Sequence, residues 1–181
     1  MKTLGTAAFA AALLLSGCGG SGKVKKDTAY VARDVDSLYL AAKAELDKGN
    51  AKASAELFDE VERQHPYSVW ATKAKVMGAY AYYKADEYDE AITRLDRFIQ
   101  VHPGNRDIAY AYYLKALCSY ERIADIRRDQ EQTSKALDAL EDVESRFPDS
   151  PYGRDARLKI DLVRDHLAGR EMDIGRFYLR N

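Results

Sequence analysis

The sequence predicts an all-α fold, a solenoid in which antiparallel helix pairs repeat along the chain. Apolar residues recur at three- and four-residue spacing through most of the chain, as on one face of a helix. No segment shows the sustained apolar–polar alternation with strand-forming side chains that indicates a β-strand. An aromatic or imidazole ring followed by proline ends three apolar segments, at Pro66, Pro103 and Pro148. These prolines divide the chain into repeating units.

Each of the first three units begins with a helix rich in alanine, tyrosine or both. We expect these helices at residues 36–48, 68–85 and 107–124. Ser68 and Asp107 have short side chains that accept hydrogen bonds from free N–H groups, and they are suited to cap the second and third helices.

The second helix of each unit carries a clear amphipathic pattern, in residues 55–61, 91–98 and 136–143. Residues 49–55 and 86–91 contain the turns that lead into the first two of these helices. Because the turns are short, the two helices of a unit are expected to pack as antiparallel neighbours.

Small residues stand where the two helices of each pair would cross. Paired helices with a period near 34 residues, small residues at the crossing and proline at the end resemble the tetratricopeptide (TPR) repeat. The resemblance implies that the first helices line a concave surface. The alanines at these crossings are Ala42, Ala79 and Ala116 in the first helices, and Ala91 and Ala136 in the second.

Two segments depart from the repeat. Residues 125–132 insert mostly charged and polar side chains into the third unit, which indicates a loop or a helix extension. The fourth unit begins with Ser150 and Pro151, an N-cap followed by a first-turn proline, and continues as an amphipathic helix to Leu167. Residues 174–181 are similar to part of the second unit, so we expect a fourth repeat that is truncated.

The N-terminus has the pattern of a secretory leader. Lys2 precedes an apolar run over residues 4–15, which is shorter than the roughly 20 residues that a membrane-spanning helix needs. Leu15-Ser16-Gly17-Cys18 resembles the lipobox of bacterial lipoproteins. This resemblance implies that residues 1–17 are a lipoprotein signal peptide and that Cys18 becomes the acylated N-terminus.

The predicted anchor sets the expected location. By the same resemblance, Gly19 in place of aspartate favours the outer membrane, with the protein facing the periplasm. Several acyl chains hold a protein firmly, whereas one chain anchors it only marginally. We therefore expect membrane contact through the lipid alone, a lipidated N-terminus and flexible tether at 18–34, and TPR repeats at 35–181, with about three complete and a fourth truncated.

Composition and residue spacing argue against several function classes. The 28 basic and 29 acidic residues give a net charge of −1, without the basic excess typical of nucleic-acid binding. His65, His102 and His166 are too dispersed for a metal site evident from sequence. Cys118 stands among apolar residues at helical spacing and is expected to be buried. Without a phosphate loop or nucleophile elbow, the sequence predicts no catalytic residue and no cofactor beyond the lipid on Cys18.

Several stretches in this order resemble the BamD family of outer-membrane assembly lipoproteins. Two features depart from the family pattern: His65 stands where the family often has tyrosine, and the C-terminal repeats are absent. The stretches are His65-Pro66-Tyr67-Ser68-Val69-Trp70-Ala71, Ala79-Tyr80-Ala81-Tyr82-Tyr83-Lys84, Leu95-Asp96-Arg97-Phe98-Ile99, Phe147-Pro148-Asp149-Ser150-Pro151-Tyr152 and the insert with Arg128-Asp129.

The resemblance implies a scaffold of the β-barrel assembly machinery that helps to fold and insert outer-membrane proteins. Its implied partners are the barrel subunit with POTRA domains, other assembly lipoproteins and unfolded outer-membrane proteins. Two alternatives remain: a TPR lipoprotein that assists secretin or pilus assembly, and one that coordinates peptidoglycan and outer membrane. The latter would have a coiled-coil segment before the repeats, and no heptads precede Asp36.

Most of the 13 tyrosines lie between Tyr80 and Tyr120. In the TPR register many of them face the concave surface, whereas Tyr82 and Tyr112 turn toward the packing side. Tyrosine combines an apolar ring with a polar tip and suits contact with an aromatic-rich peptide strand, although ordinary packing between helices would also explain the rings. The predicted peptide-binding residues are Tyr39, Tyr80, Tyr83, Tyr110, Tyr113 and Tyr120, with Lys43 and Lys84 at the edge.

Overall fold

Seven α-helices and no β-strand occupy the part of the chain that the computed structural model describes, residues 34–123 and 130–180. The all-α prediction is confirmed. The signal peptide, Cys18 and nearly all of the tether lie outside the described residues, as does most of the insert in the third unit. The helices are α1 (Val35–Asp47), α2 (Ala51–Gln64), α3 (Val69–Lys84), α4 (Tyr88–Val101), α5 (Ile108–Tyr120), α6 (Gln130–Arg146) and α7 (Pro151–Arg180).

Side-chain caps begin two of the helices as predicted. The Ser68 hydroxyl accepts a hydrogen bond from the Ala71 N–H at 3.0 Å, and the Ser150 hydroxyl accepts one from the Gly153 N–H at 2.9 Å. Each cap satisfies an N–H group that has no partner inside its helix. In both cases the sequence identified the capping residue and the first turn correctly.

The predicted bounds of α5 need correction. Asp107 precedes the helix, but its side chain makes no capping hydrogen bond. Instead, the Asn105 side chain accepts a hydrogen bond from the Asp107 N–H at 2.9 Å, forming a local turn before the helix. The helix also ends at Tyr120 rather than residue 124, because the Ile123 N–H bonds to the Tyr120 carbonyl at 3.0 Å in a tighter turn.

Three-residue turns join α1 to α2 and α3 to α4. Gly49 in the first turn has φ of 85°, and Asp86 in the second has φ of 59°. This left-handed conformation is easy for glycine, and aspartate tolerates it better than most residues. Because the joined helices also pack against each other, they must run antiparallel. The predicted helix pairs are therefore present.

The helices form two rows in one compact unit. The first helices α1, α3, α5 and α7 contact one another in order, and α2, α4 and α6 each pack between successive members of that row. The crossing prediction is confirmed, since all the predicted alanines are fully buried: Ala42, Ala79, Ala91, Ala116 and Ala136. Small side chains allow the helix axes to approach closely, and phenylalanine and leucine fill the space between the crossings.

Helix α7 is one continuous helix of 30 residues, longer than the predicted segment that ended at Leu167. Its first half buries Gly153, Ala156, Ile160 and Val163 against the rest of the fold. The last turns expose apolar side chains, including Phe177 at 62% exposure. Within residues 34–123 and 130–180, none of the helices combines the length and apolar character needed to span a membrane.

Candidate peptide-binding surface

Four of the predicted tyrosines come together on the row of first helices. On α3, the rings of Tyr80 and Tyr83 stack with their centroids 6.2 Å apart. On α5, the rings of Tyr110 and Tyr113 lie 5.5 and 5.3 Å from the ring of Tyr152 on α7. Three successive first helices therefore contribute to a group of rings.

Helical spacing explains why these tyrosines share a face. Tyr80 and Tyr83 are three residues apart, as are Tyr110 and Tyr113, so each pair projects from one side of its helix. Tyr88 of α4 extends the group, because its ring lies 5.9 Å from that of Tyr83. We call Tyr80, Tyr83, Tyr88, Tyr110, Tyr113 and Tyr152 the tyrosine cluster.

Hydrogen bonds hold three hydroxyl groups of the tyrosine cluster. Tyr83 donates to Glu121 at 3.2 Å, Tyr88 donates to Asp86 at 2.9 Å, and Tyr113 donates to Asp155 of α7. These bonds fix the polar tips, and the rings of Tyr83 and Tyr113 also pack against buried apolar side chains. The cluster is therefore preorganised, which lowers the conformational entropy lost when a ligand binds.

The environment of the cluster favours neutral tyrosines. Burial, followed by the neighbouring carboxylates, raises the pKa of Tyr83 and of Tyr88 to about 12. Burial also raises the pKa of Tyr110, to which Tyr80 and then Tyr152 contribute further. Each ring nevertheless remains only partly buried, so the cluster presents both apolar area and polar edges to solvent.

Asp155 of α7 is the carboxylate that accepts the hydrogen bond from Tyr113 of the cluster. Burial alone would raise the pKa of its carboxyl, but hydrogen bonds from Lys159 and Tyr113 outweigh that effect and lower it. Lys159 Nζ lies 2.8 Å from the carboxylate. The charged carboxylate therefore connects Tyr113 of α5 to α7.

The other two predicted tyrosines lie outside the tyrosine cluster. Tyr39 packs against Phe58 of α2 and Trp70 of α3, with ring centroids 5.3 and 4.7 Å away. Tyr120 lies under Lys159, whose Nζ is 5.7 Å from its ring centre. The eight predicted residues are thus distributed over a longer surface instead of forming one compact pocket.

Both predicted lysines are exposed. Lys84 ends α3 and borders a shallow depression of about 480 Å³ beside the α1–α2 turn. Lys43 lies on α1, the first helix of the row. Both lysines lie outside the tyrosine cluster, and their role at the edge of a peptide surface stays a prediction.

Sequence reasoning missed Tyr88 and Tyr152 as members of the group. Tyr152 directly follows Ser150 and Pro151, so the cap that begins α7 also identifies it as a first-turn residue of the next first helix. This signal could have placed Tyr152 beside α5. Tyr88 carries no comparable signal, because its contact with Tyr83 depends on the α3–α4 turn.

Tyr82 and Tyr112 lie on the packing side, as predicted. The Tyr82 hydroxyl donates to Asp59 of α2 at 3.0 Å. The ring of Tyr112 lies 5.5 Å from that of Phe147. These two tyrosines therefore join helices instead of extending the tyrosine cluster.

The described residues supply little for chemistry. Cys118 is fully buried, as the sequence predicted, and burial raises the pKa of its thiol to about 12. Residues 34–123 and 130–180 contain no group of three histidine, cysteine or acidic side chains placed to hold a metal ion. What the geometry offers is a surface for binding.

Comparisons with known proteins agree with this architecture. The family described as YfiO, outer membrane lipoprotein, matches residues 31–181. Outer membrane protein assembly factor BamD of Caulobacter vibrioides is 50% identical over 97% of this chain and 57% of its own length. The protein of the same name from Rickettsia prowazekii is 46% identical over 93% of this chain and 65% of its own length. The chain thus spans less than two thirds of either relative.

Similar solved structures support the fold alone. MamA from Desulfovibrio magneticus RS-1 has a TM-score of 0.51 and 21% identity, covering 79% of this chain and 76% of that one. A double mutant of MamA RS-1 gives a TM-score of 0.52 at 20% identity, and the match covers 80% of this chain and 77% of the mutant's chain. Both are TPR-like helical proteins, so the predicted TPR-like solenoid is confirmed.

Proposed function

Since the chain belongs to the YfiO family of outer membrane lipoproteins, we propose that it is a scaffold of the β-barrel assembly machinery that helps to fold and insert outer-membrane proteins. The observation that carries this proposal is the 50% identity, over 97% of the chain, to a protein named as an outer membrane protein assembly factor. The role is one of binding and positioning, without catalysis. Its proposed partners are the barrel subunit with POTRA domains, other assembly lipoproteins and unfolded outer-membrane proteins.

The proposed anchor is a lipid on Cys18 that holds the chain at the outer membrane, facing the periplasm. Its support is the order of apolar run, small residues and cysteine. Mass spectrometry of the protein purified from its native host should find fatty acids on an N-terminal Cys18. A mature chain that begins at Met1 or carries an unmodified Cys18 would contradict the anchor.

The proposed substrate surface is the tyrosine cluster together with Tyr39 and Tyr120, with Lys43 and Lys84 at its edge. It lies on the row of helices that the TPR resemblance implies is concave. Half-buried rings with fixed hydroxyls offer apolar area at small entropic cost, which suits a strand that carries exposed aromatics. A nearby lysine complements the terminal carboxylate of such a strand.

Paired substitutions test this surface. Tyr80→Ala with Tyr113→Ala should weaken crosslinking to a peptide that ends in an aromatic residue by about tenfold, since losing anchoring rings costs roughly 1 to 2 kcal/mol or more. Tyr80→Phe with Tyr113→Phe is the matched control, because it keeps both rings and removes only the hydroxyls. Lys84→Gln should cause a smaller loss that salt reduces.

The stability of each variant must be measured alongside binding, since Tyr113 also bonds to Asp155. Tyr80→Ala alone is the cleaner probe, because the Tyr80 hydroxyl has no hydrogen bond within the described residues. Unchanged crosslinking in the double alanine variant, with helicity intact, would show that these rings only pack the helices. The substrate would then bind elsewhere.

A further inference from the structure

A charged groove lies between α2 and α4, above α3. Two neighbouring cavities of about 360 and 180 Å³ share Glu62, Lys75, Arg94 and Arg97, so they form one continuous depression. Its walls belong mainly to the second helices of the first two pairs, and none of its residues belongs to the tyrosine cluster. The charged residues that line the charged groove are Asp59, Glu62, Arg63, Lys75, Glu90, Arg94 and Arg97.

Part of this charge is compensated inside the fold. Arg94 bonds to the Asp59 carboxylate through both terminal nitrogens, with Nη2 lying 2.7 Å from Oδ2. The Tyr82 hydroxyl donates to the same carboxylate, and the Arg94 guanidinium lies 4.6 Å from the Tyr82 ring centre. Arg63 pairs with Glu60 on its own helix. The groove therefore has a fixed polar wall.

Lys75 and Arg97 are the uncommitted cations of the groove. Within residues 34–123 and 130–180, neither forms a hydrogen bond or an ion pair, whereas several other cations are paired with carboxylates. Examples are Lys52 of α2 with Glu87 of the α3–α4 turn, and Lys115 of α5 with Asp96 of α4. Lys75 and Arg97 therefore place two positive charges in the groove that have no hydrogen-bond or ion-pair partner among the described residues.

Two further observations point to missing contacts at this place. Arg94 Nε is buried and has no hydrogen-bond partner in the described part of the chain. Burial raises the pKa of the Glu62 carboxyl, while Lys75, Arg94 and Arg97 act to lower it, so these three cations surround that carboxyl without bonding to it. A buried donor and a partly buried carboxylate are both costly when left unmatched.

We infer that the charged groove binds an acidic segment of a partner protein, whose carboxylates pair with Lys75 and Arg97. Glu62 can accept hydrogen bonds from backbone N–H groups of the same segment. A polypeptide fits better than a compact anion such as phosphate, because Asp59, Glu62 and Glu90 would repel concentrated negative charge. An extended segment separates its carboxylates and can place each beside a cation. This inference is independent of the peptide surface proposed above.

The test uses the full-length chain in detergent and a fluorescent 12-residue peptide of alternating glutamate and serine, followed by anisotropy. Lys75→Gln with Arg97→Gln should raise the Kd at least about threefold, the effect of losing two partly exposed ion pairs. Added salt should weaken binding to the parent more than to this variant. The same peptide with glutamine in place of glutamate should bind no better to the parent than to the variant.

Two matched controls make the result specific to the groove. Lys135→Gln with Arg164→Gln removes the same charge from α6 and α7 and should leave the Kd unchanged. Tyr80→Ala with Tyr113→Ala should also bind the acidic peptide normally, whatever it does to aromatic peptides. Circular dichroism establishes that all variants remain helical.

Equal affinity of the parent and the Lys75/Arg97 variant for the glutamate peptide would overturn the inference. So would equal losses in the Lys135/Arg164 control, which would indicate attraction by overall charge. Inorganic phosphate or phosphatidylglycerol vesicles that bind through Lys75 and Arg97, without glutamate-peptide binding, would reassign the groove to a small anion or a lipid surface.

Discussion

Arg94 on α4 forms a two-pronged ion pair with Asp59 on α2, and the pair lies against the ring and hydroxyl of Tyr82 on α3. It joins the second helices of two successive pairs across the groove that separates them. Arg94 and Asp59 are 29% and 31% exposed, which excludes solvent from much of the contact. This link between neighbouring repeats should therefore contribute measurably to stability.

Arg94→Ala should lower the free energy of unfolding by about 1 to 3 kcal/mol, because it leaves a partly buried carboxylate without its main partner. Urea denaturation followed by circular dichroism measures the change. Arg97→Ala, on the same helix but without an ion pair among the described residues, should change stability by less than about 0.5 kcal/mol. Equal effects of the two variants would contradict the role given to the Asp59 pair.

Gly153→Ala should destabilise the protein by about 2 kcal/mol or more. An added Cβ would lie 2.2 Å from the Phe147 carbonyl oxygen. Its nearest neighbours are backbone atoms of Phe147 and Pro148, which cannot move aside as easily as the end of a flexible side chain. Gly169→Ala, on the same helix, places its Cβ in open space and should be neutral or stabilising by up to about 1 kcal/mol. Thermal or urea unfolding of the two variants measures the contrast, which a loss of stability in both would refute.

Cys118 should resist alkylation in the folded protein. Burial raises the pKa of its thiol to about 12, so at pH 8 the reactive thiolate is on the order of one molecule in ten thousand. In a Cys18→Ser variant, iodoacetamide at pH 8 should label the chain only after denaturation, as measured by mass spectrometry. Rapid labelling under native conditions would show that the α5 environment opens readily.

Stability should fall as the pH rises from about 10 to about 12. Tyr83 and Tyr88 have their pKa raised to about 12 in the fold, whereas unfolded tyrosine ionises near 10. In this interval the unfolded chain releases protons that the folded chain retains, so the stability present below pH 10 is lost as the pH passes the folded pKa.

Urea midpoints measured between pH 9 and 12 test this dependence, together with the ultraviolet absorbance of tyrosinate. Tyr83→Phe with Tyr88→Phe is the control, because it removes both ionising groups and keeps their rings. The stability of the control variant should fall less steeply with rising pH than the stability of the parent. An equal fall in both proteins would assign the alkaline loss to other groups.

Local sequence patterns predicted the helix pairs correctly because those patterns act within one or two turns. Apolar spacing shows which face of a helix is buried, and Ser68 and Ser150 cap their helices by bonding three residues ahead. The bounds of α5 were wrong because Asn105 competes with Asp107 in the preceding turn, and because a tighter turn closes at Tyr120. Such competition between neighbouring polar groups is not visible in apolar periodicity.

Some ring positions on the candidate surface follow from the sequence. Tyr80 with Tyr83 and Tyr110 with Tyr113 share faces because three-residue spacing requires it on any helix. Their contacts with other elements, such as Tyr152 on α7, depend on how successive helices pack. Tyr39 remains a predicted residue of the surface, and its ring contacts Phe58 and Trp70 and lies outside the tyrosine cluster.

By itself, the sequence determined the all-α class, the helix pairs, the buried alanines and the family resemblance, which the YfiO match confirms. Only the tertiary structure decided that Tyr113 bonds to Asp155 and that Arg94 pairs with Asp59, while Lys75 and Arg97 form no ion pair within the described part of the chain. The reason is physical: helix periodicity depends on residues a few positions apart. The partner of a charged or aromatic side chain is set by the angle and register at which separate helices pack.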